Sequence, residues 1–151
     1  MDVKLPIENV APLVPQSGDM VLIDRITDFG DDFLTGEADI RAEHILLKQG
    51  KLSTFSGIEI MAQGIAAWAG IQARKRNEPV RLGYLLGTRK LHIQQAEIAI
   101  GSQLRIEVKM SIQDATGFGV FDCQLIDKAN DQILLSGALN VFSPKDGKIQ
   151  K

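Results

Sequence analysis

Two residues of this chain could carry proton-transfer chemistry, the carboxylate Glu59 and the imidazole His44. Glu59 falls in the first turn of an apolar stretch, where burying a charged carboxylate costs free energy. Such burial raises the pKa of a carboxyl group and makes it a candidate general acid. On a helix, Gln63 would share a face with Glu59, so it can hydrogen-bond the carboxyl group.

The residues before Glu59 allow a structural interpretation as well. The run Ser56-Gly57-Ile58-Glu59 fits the capping box S-x-x-E, in which the glutamate reaches back to the N-cap amide. The residue pattern leaves the cap and the general acid open. In either case the free backbone amides near residues 55–58 could hydrogen-bond a carbonyl oxygen and stabilise negative charge on it.

His44 belongs to a stretch without periodicity, residues 41–55, which leads directly into the helix that carries Glu59. A neutral imidazole is well suited to removing a carbon-bound proton next to a carbonyl group. The alternative is an ordinary surface histidine. His92 lies in a polar, strand-like stretch, and we interpret it as structural.

A helix predicted over residues 57–75 must position Glu59. It contains no proline, and apolar side chains occupy most of its circumference, which is typical of a buried helix. Arg74, Lys75 and Arg76 follow at its end, where the helix dipole favours cations.

The rest of the chain has the patterns of β-strands. Residues 19–29 and 33–40 predict a hairpin around a turn at 30–32. Strand-like runs after the helix cover residues 80–100, 102–113, 118–126 and 132–142. This order predicts an α+β fold in which a curved antiparallel sheet wraps around one long central helix, the hot-dog arrangement. Such a sheet leaves an open edge, so we expect a dimer.

Composition narrows the classes of function. The chain is 44% hydrophobic with a net charge of -2, which argues against disorder and against a nucleic-acid binder. We expect one domain over residues 1–151, with its core at about 13–142 and a short mobile tail from about 144. No signal peptide or membrane span is visible. The single cysteine, Cys123, predicts a buried packing thiol and a cytoplasmic location. No metal-binding motif occurs, so we expect no metal and no redox cofactor.

Three stretches resemble the 3-hydroxyacyl carrier-protein dehydratases of the hot-dog superfamily, the FabZ/FabA type. They are Val14-Pro-Gln-Ser-Gly-Asp-Met-Val-Leu-Ile-Asp-Arg-Ile26, Ile58-Glu-Ile-Met-Ala-Gln63 and Gly101-Ser-Gln-Leu-Arg-Ile-Glu-Val108. The chain is most similar to the dehydratase-like proteins of aryl polyene gene clusters. Stretches shared with that subgroup include Pro79-Val-Arg-Leu-Gly-Tyr-Leu-Leu-Gly-Thr-Arg89 and Gly119-Val-Phe-Asp-Cys123. Unlike main-line members, the chain has no proline between His44 and the helix.

The resemblance implies an enzyme that removes water from 3-hydroxyacyl thioesters, carried by acyl carrier protein or coenzyme A. It places Glu59 on the catalytic acid, Gln63 on its helix partner and His44 on or near the catalytic histidine, with each site shared between two subunits. A homodimer is expected, and the alternatives are a higher oligomer and a heterodimer with a related subunit. The alternatives on the same fold are an acyl thioesterase and a non-catalytic partner subunit.

Acyl carrier proteins are acidic, so their docking surface should be basic. The candidate cations are Arg74, Lys75, Arg76, Arg81, Arg89 and Lys90. A solvated face with helix-dipole complementation is the alternative interpretation of this group.

Overall fold

One long helix and one antiparallel sheet make up most of the described chain, residues 4–144, in this computed structural model. The tail that the sequence predicts from about residue 144 lies outside the described residues from residue 145 onward. The helix α1 spans Gly57–Lys75, as the sequence predicts. The strands are β1 Arg25–Phe29, β2 Phe33–Asp39, β3 Leu52–Ser53, β4 Tyr84–Ile93, β5 Glu97–Ile98, β6 Gln103–Gln113, β7 Phe118–Asp127 and β8 Gln132–Phe142. Three short 3-10 helices lie at Ala11–Leu13, Gly18–Met20 and Thr54–Ser56.

Six of the strands form one sheet in the order β1-β2-β6-β7-β8-β4, and every neighbouring pair is antiparallel. β3 and β5 form a separate pair. α1 packs against β2, β6 and β7, and the inward side chains of these strands bury the helix. On β6, Leu104, Ile106 and Val108 are buried and alternate with more exposed residues, as the sequence pattern predicts. This is the predicted hot-dog arrangement.

Glycines in α1 allow the helix to lie close to its neighbours. A Cβ atom on Gly57 would meet the side chain of Leu125 on β7, and one on Gly70 would meet the backbone carbonyl of Leu13. The first contact brings the start of the helix onto the sheet. The second brings the N-terminal segment onto the opposite end of the helix.

The first predicted strand is partly wrong. The hairpin of β1 and β2 forms, but β1 begins only at Arg25, and Gly18–Met20 is a 3-10 helix. Residues 22 and 23 do not join the strand because the side chain of Gln63, on α1, accepts their backbone N–H groups. These donors are therefore occupied by the helix.

β4 is an edge strand, since it pairs with β8 on one side only. Leu85, Leu86 and Ile93 on this strand are exposed, and Leu86 retains 60% of its accessible surface. Phe55, just before α1, is exposed to a similar degree, 58%. A free edge with exposed leucines is a surface that a second subunit commonly covers.

The core contains Trp68 of α1, whose ring meets that of Phe121 on β7 edge to face at 5.2 Å. Cys123 is buried on β7, and burial raises the pKa of its thiol, as expected for a packing residue. Among residues 4–144, no helix is long and apolar enough to cross a membrane.

Candidate active site

Glu59 lies in the first turn of α1 and is exposed in the single chain, unlike the buried positions on both sides of it. Its side chain lines two cavities. One, of about 480 Å³, lies at the helix N-terminus between Phe55 and the edge strand residue Leu85. The other, of about 210 Å³, continues along the helix. Glu59 therefore lies where the two cavities meet.

The second cavity is an elongated channel between α1 and the strands β4, β7 and β8. Ala62, Ala66 and Ala69 line its helix side, at the spacing that places them on the same face as Glu59. From Glu59 to Ala69 the channel follows the helix for about 15 Å, given a rise of about 1.5 Å per residue. Because alanine side chains are short, this face leaves room for a chain-like ligand.

The channel does not end at Ala69. A further cavity of about 240 Å³ shares Trp68, Ala69, Gln113 and other residues with it and extends to Arg76. The N-terminal segment closes the channel on one side, since Leu13 touches Gly70 and Met20 lies beside Gln63. Gln16 lines the channel between these two points, and its buried Oε1 has no hydrogen-bond partner in the described structure.

Gln63 has a different role from the predicted one. Its side chain is buried, with 3% exposed. Its Oε1 accepts the N–H of Leu22 at 2.6 Å and of Ile23 at 3.2 Å, and its Nε2 donates to the carbonyl of Met20 at 2.7 Å. The predicted hydrogen bond from Gln63 to Glu59 is therefore wrong, because its amide is used to hold the segment before β1.

The capping interpretation of Glu59 is not supported either. The side chain of Ser56 makes no cap hydrogen bond, and its backbone is already helical because a 3-10 turn runs into α1. The same turn engages the N–H of Gly57, which donates to the carbonyl of Thr54. Gly57 is buried against the sheet and is not a free donor for a carbonyl oxygen. With no partner at the cap, Glu59 is left available for chemistry.

His44 is half-buried in the loop after β2. Its Nδ1 accepts the N–H of Leu46 at 3.2 Å, so a neutral ring carries its proton on Nε2. Burial lowers the pKa of His44, the carboxylate of Asp24 opposes this effect, and the positive charge of Arg41 adds to it. The ring therefore favours the neutral form that a proton-transfer residue needs.

One chain does not bring His44 and Glu59 into a common cavity. His44 lines a cavity of about 410 Å³ with Asp24 and Arg41, whereas Glu59 lines the two cavities along the start of α1. His92 lines none of these cavities and lies in an open groove on the outer face of the sheet. Within one chain, His44 and Glu59 therefore line different cavities.

The candidate docking cations fall into two groups. Arg76 and Arg81 both pair with Glu78 near the end of α1. Lys75 of the same group lies over the ring of Phe29, and Arg74 is exposed. The second group, Arg89 and Lys90, is exposed on β4. It follows Thr88, which lines the cavity at the helix N-terminus. Arg89 therefore directly follows a residue at the Glu59 end of the channel, whereas Lys90 lines the open groove on the outer face of the sheet.

Two features of this region were not expected from the sequence. The alanine face was interpreted only as part of an apolar helix, although its spacing from Glu59 was visible. Asp24 and Arg41, beside His44, were not singled out. The signal available in the sequence was the Asp24-Arg25 pair in the first family-like stretch.

Among residues 4–144, no group of three or more histidine, cysteine or carboxylate side chains could hold a metal ion.

The fold and the cavities define a hot-dog domain with a carboxylate beside an elongated channel. Comparison with known proteins identifies the family to which this hot-dog domain belongs. The model of the ApeP-like family, described as ApeP dehydratase, matches residues 8–151. The chain therefore belongs to the ApeP-like dehydratase family, which confirms its resemblance to the dehydratases of aryl polyene biosynthesis.

Solved structures agree with this assignment. The chain is similar to a structure of the dehydratase heterocomplex ApeI:P from Xenorhabdus doucetiae, with 30% identity and a TM-score of 0.83. That match covers 95% of this chain and 93% of the other. No curated protein matches the chain.

More distant structures share the fold alone. E. coli PaaI matches at 10% identity and a TM-score of 0.60, over 78% of this chain and 80% of its own. Zebra fish thioesterase superfamily member 2 matches at 14% identity and a TM-score of 0.63, over 89% and 92%. At these identities both structures support the hot-dog fold alone, and the thioesterase named in the second carries no argument for thioester hydrolysis.

Proposed function

We propose that this protein dehydrates 3-hydroxyacyl thioesters bound to acyl carrier protein, giving trans-2-enoyl thioesters, as a step of polyene assembly. The observation that carries the proposal is the position of Glu59, a carboxylate at the junction of two cavities in a chain of the dehydratase family. The channel along the alanine face would hold the acyl chain. The cavity at the helix N-terminus would receive the thioester arm.

The reaction needs one proton removed and one delivered. A base takes the proton from Cα, which the neighbouring thioester acidifies, and the electron pair forms the Cα=Cβ bond. The C–O bond at Cβ breaks as an acid protonates the departing hydroxyl group, and water leaves. We assign the acid to Glu59 and the base to His44. A partner subunit would cover the exposed Glu59 and shield the reacting groups from water.

The hydrogen bond from Leu46 sets a condition on the assigned role of His44. While Nδ1 accepts that N–H, the proton of a neutral ring sits on Nε2, which can donate but cannot take a proton. The base role therefore requires the Leu46 bond to be released when the site assembles. If it is not released, Nε2 would act as a hydrogen-bond donor to the substrate.

The free edge of β4 is the surface at which a second subunit would complete the site. The free edge of β4, its exposed leucines and the exposed Phe55 adjoin the cavity that Glu59 lines. A second subunit placed there would face Glu59 and could contribute its own histidine loop. The partner is either a second copy of this chain or a related dehydratase subunit. The similar ApeI:P structure, described as a dehydratase heterocomplex, favours testing the related subunit as well.

Arg89 is the more suitable candidate for carrier docking, since it is exposed and follows Thr88, which lines the cavity at the thioester end of the channel. The cations at the end of α1 lie at the distal end, and two of them already share Glu78. We propose the cytoplasm as the location, because the unpaired thiol of Cys123 fits a reducing compartment.

The deciding experiment incubates the purified protein with 3-hydroxyacyl carrier protein and follows loss of water by mass spectrometry. The assay is run with this chain alone and with a related dehydratase subunit added. Product in either assay supports the proposal, and product only in the second shows that this chain works as part of a heterodimer. Free carrier protein as the product would instead indicate a thioesterase. No turnover in any mixture would contradict the proposal.

The same assay tests the carrier. Screening by salt should lower kcat/KM for the carrier-bound substrate but leave a small N-acetylcysteamine thioester little affected. Reversing the charge of Arg89 should harm only the carrier-bound substrate, whereas reversing that of Arg74 should change neither. Equal effects of salt on both substrates would remove the docking assignment.

A further inference from the structure

A second carboxylate, Asp24, holds the loop that carries His44. Its Oδ2 accepts the backbone N–H of Asp39 at 2.7 Å, at the end of β2. Its Oδ1 accepts Nη2 of Arg41 at 2.8 Å. The carbonyl of Arg41 in turn accepts the N–H of His44 at 3.1 Å. The side chain of Asp24 thus holds the backbone at Asp39, where the loop begins, and the side chain of Arg41, three residues before His44.

The other side of Asp24 leads to the helix. Asp24 directly follows Leu22 and Ile23, whose backbone N–H groups are held by Gln63. Gln63 lies one helical turn after Glu59. The hydrogen bonds of Gln63 to Leu22 and Ile23, and the bond of Asp24 to Arg41, therefore connect the first turns of α1 to the loop that carries His44.

We propose that Asp24 is a positioning residue for the dehydration, which holds the His44 loop in place on its own subunit, so that His44 has a fixed position in the site that a second subunit completes. The inference rests on the proposed function. It assigns Asp24 no contact with the substrate, because its two oxygens are already used by Asp39 and Arg41.

Charge is the second way in which Asp24 acts on His44. The charged groups that line the cavity with His44 come from three segments and are Asp19, Asp24, Asp39, Arg41 and Glu43. Burial is the main cause that lowers the pKa of His44, and the carboxylate of Asp24 is the group that raises it. Removing the charge of Asp24 should therefore lower the pKa further, while removing the charge of Arg41 should raise it.

The test compares Asp24→Asn with Asp28→Asn. Asp28 is an exposed carboxylate on the same segment of chain, and its side chain bonds only the N–H of Phe29 among the described residues. The pKa of His44 is measured by NMR titration, with His92→Gln used to assign the two histidines. For Asp24→Asn we expect a lower pKa and a kcat reduced by roughly tenfold to a hundredfold, as misplaced catalytic groups produce, with little change in KM. For Asp28→Asn we expect neither change.

Arg41→Gln keeps the inference testable if Asp24→Asn does not fold, because the Arg41 side chain is 56% exposed. This substitution removes the ion pair between Asp24 and Arg41 by changing Arg41. It should therefore raise the pKa of His44 and reduce kcat. The inference is overturned if the variants that fold match Asp28→Asn in both measurements. The titration does not need turnover, so it still decides the matter if the protein dehydrates no substrate.

Discussion

The side-chain amide of Gln63 lies 2.6 Å from the backbone nitrogen of Leu22 and connects the central helix to the segment before the first strand. The same amide also satisfies Ile23 and Met20, so three backbone groups depend on one side chain. The contact accounts for a polar residue in the buried part of α1. It also places the N-terminal segment along the helix, where that segment closes the channel.

Replacing Gln63 should cost stability. Gln63→Leu has a similar size but leaves the N–H groups of Leu22 and Ile23 buried without acceptors, each at about 1–3 kcal/mol. We expect a loss of about 3 kcal/mol in the free energy of unfolding, measured by urea denaturation. The control is Gln72→Leu, which removes one bond to the carbonyl of Gly30 and should cost about 1 kcal/mol. Equal losses in both variants would contradict the role given to Gln63.

Glu59→Gln should remove activity without changing the fold. The substitution keeps the shape of the side chain, and Glu59 makes no hydrogen bond to the helix cap that would be lost. Without an acid to protonate the leaving hydroxyl group, kcat should fall by about 10²–10⁴. The measurement is turnover of a 3-hydroxyacyl thioester, with thermal denaturation as the check on folding. Normal turnover would show that Glu59 is not catalytic.

The pH dependence should reflect a histidine whose pKa lies below its ordinary value. Because burial lowers the pKa of His44, the acid limb of kcat/KM should lie below the pKa of a free histidine. The lowered pKa of His44 also makes the free energy of unfolding depend on pH. A depressed pKa contributes stability above the unfolded-state pKa, and this contribution is lost as the pH falls through the folded-state pKa.

His44→Gln separates the two roles of the ring. Glutamine retains an N–H donor near the position of Nε2 but has no basic nitrogen. If His44 is the base, we expect both His44→Gln and His44→Ala to lose about 10²–10⁴ of kcat. Near-normal activity of His44→Gln alone would show that the ring only donates a hydrogen bond.

A larger side chain at Ala69 should shorten the channel. Ala69 lies about 15 Å along the helix from Glu59, so a leucine there would obstruct long acyl chains and spare short ones. We expect Ala69→Leu to lower kcat/KM for long-chain substrates by at least about tenfold, a cost of about 1.4 kcal/mol. Ala129→Leu, in the exposed turn after β7, is the matched control. A loss that is the same for all chain lengths would contradict this assignment.

A charge on the free edge strand should prevent assembly. Leu86→Glu places a carboxylate on β4 where an apolar partner surface is expected. We expect a monomer by light scattering after size-exclusion chromatography, together with loss of turnover. Ile112→Glu is the control, since Ile112 is nearly as exposed, at 58%, but lies on β6. If both variants remain dimeric, the subunits meet elsewhere.

The sequence by itself determined the helix, the strands after it and the position of Glu59. The helix has apolar residues around its circumference and no proline, and β6 alternates strictly, so local pattern and tertiary packing favour the same structure there. Family-like motifs around Glu59 then identified the class of enzyme.

Only the tertiary structure decided what the polar side chains do. Residues 19–24 read as strand, but Gln63, about forty residues later in the sequence, takes the backbone donors of Leu22 and Ile23. The link from Asp24 to Arg41 and the channel along Ala62, Ala66 and Ala69 also join distant segments. Such contacts depend on which surfaces meet in three dimensions, and periodicity within one segment carries no information about them.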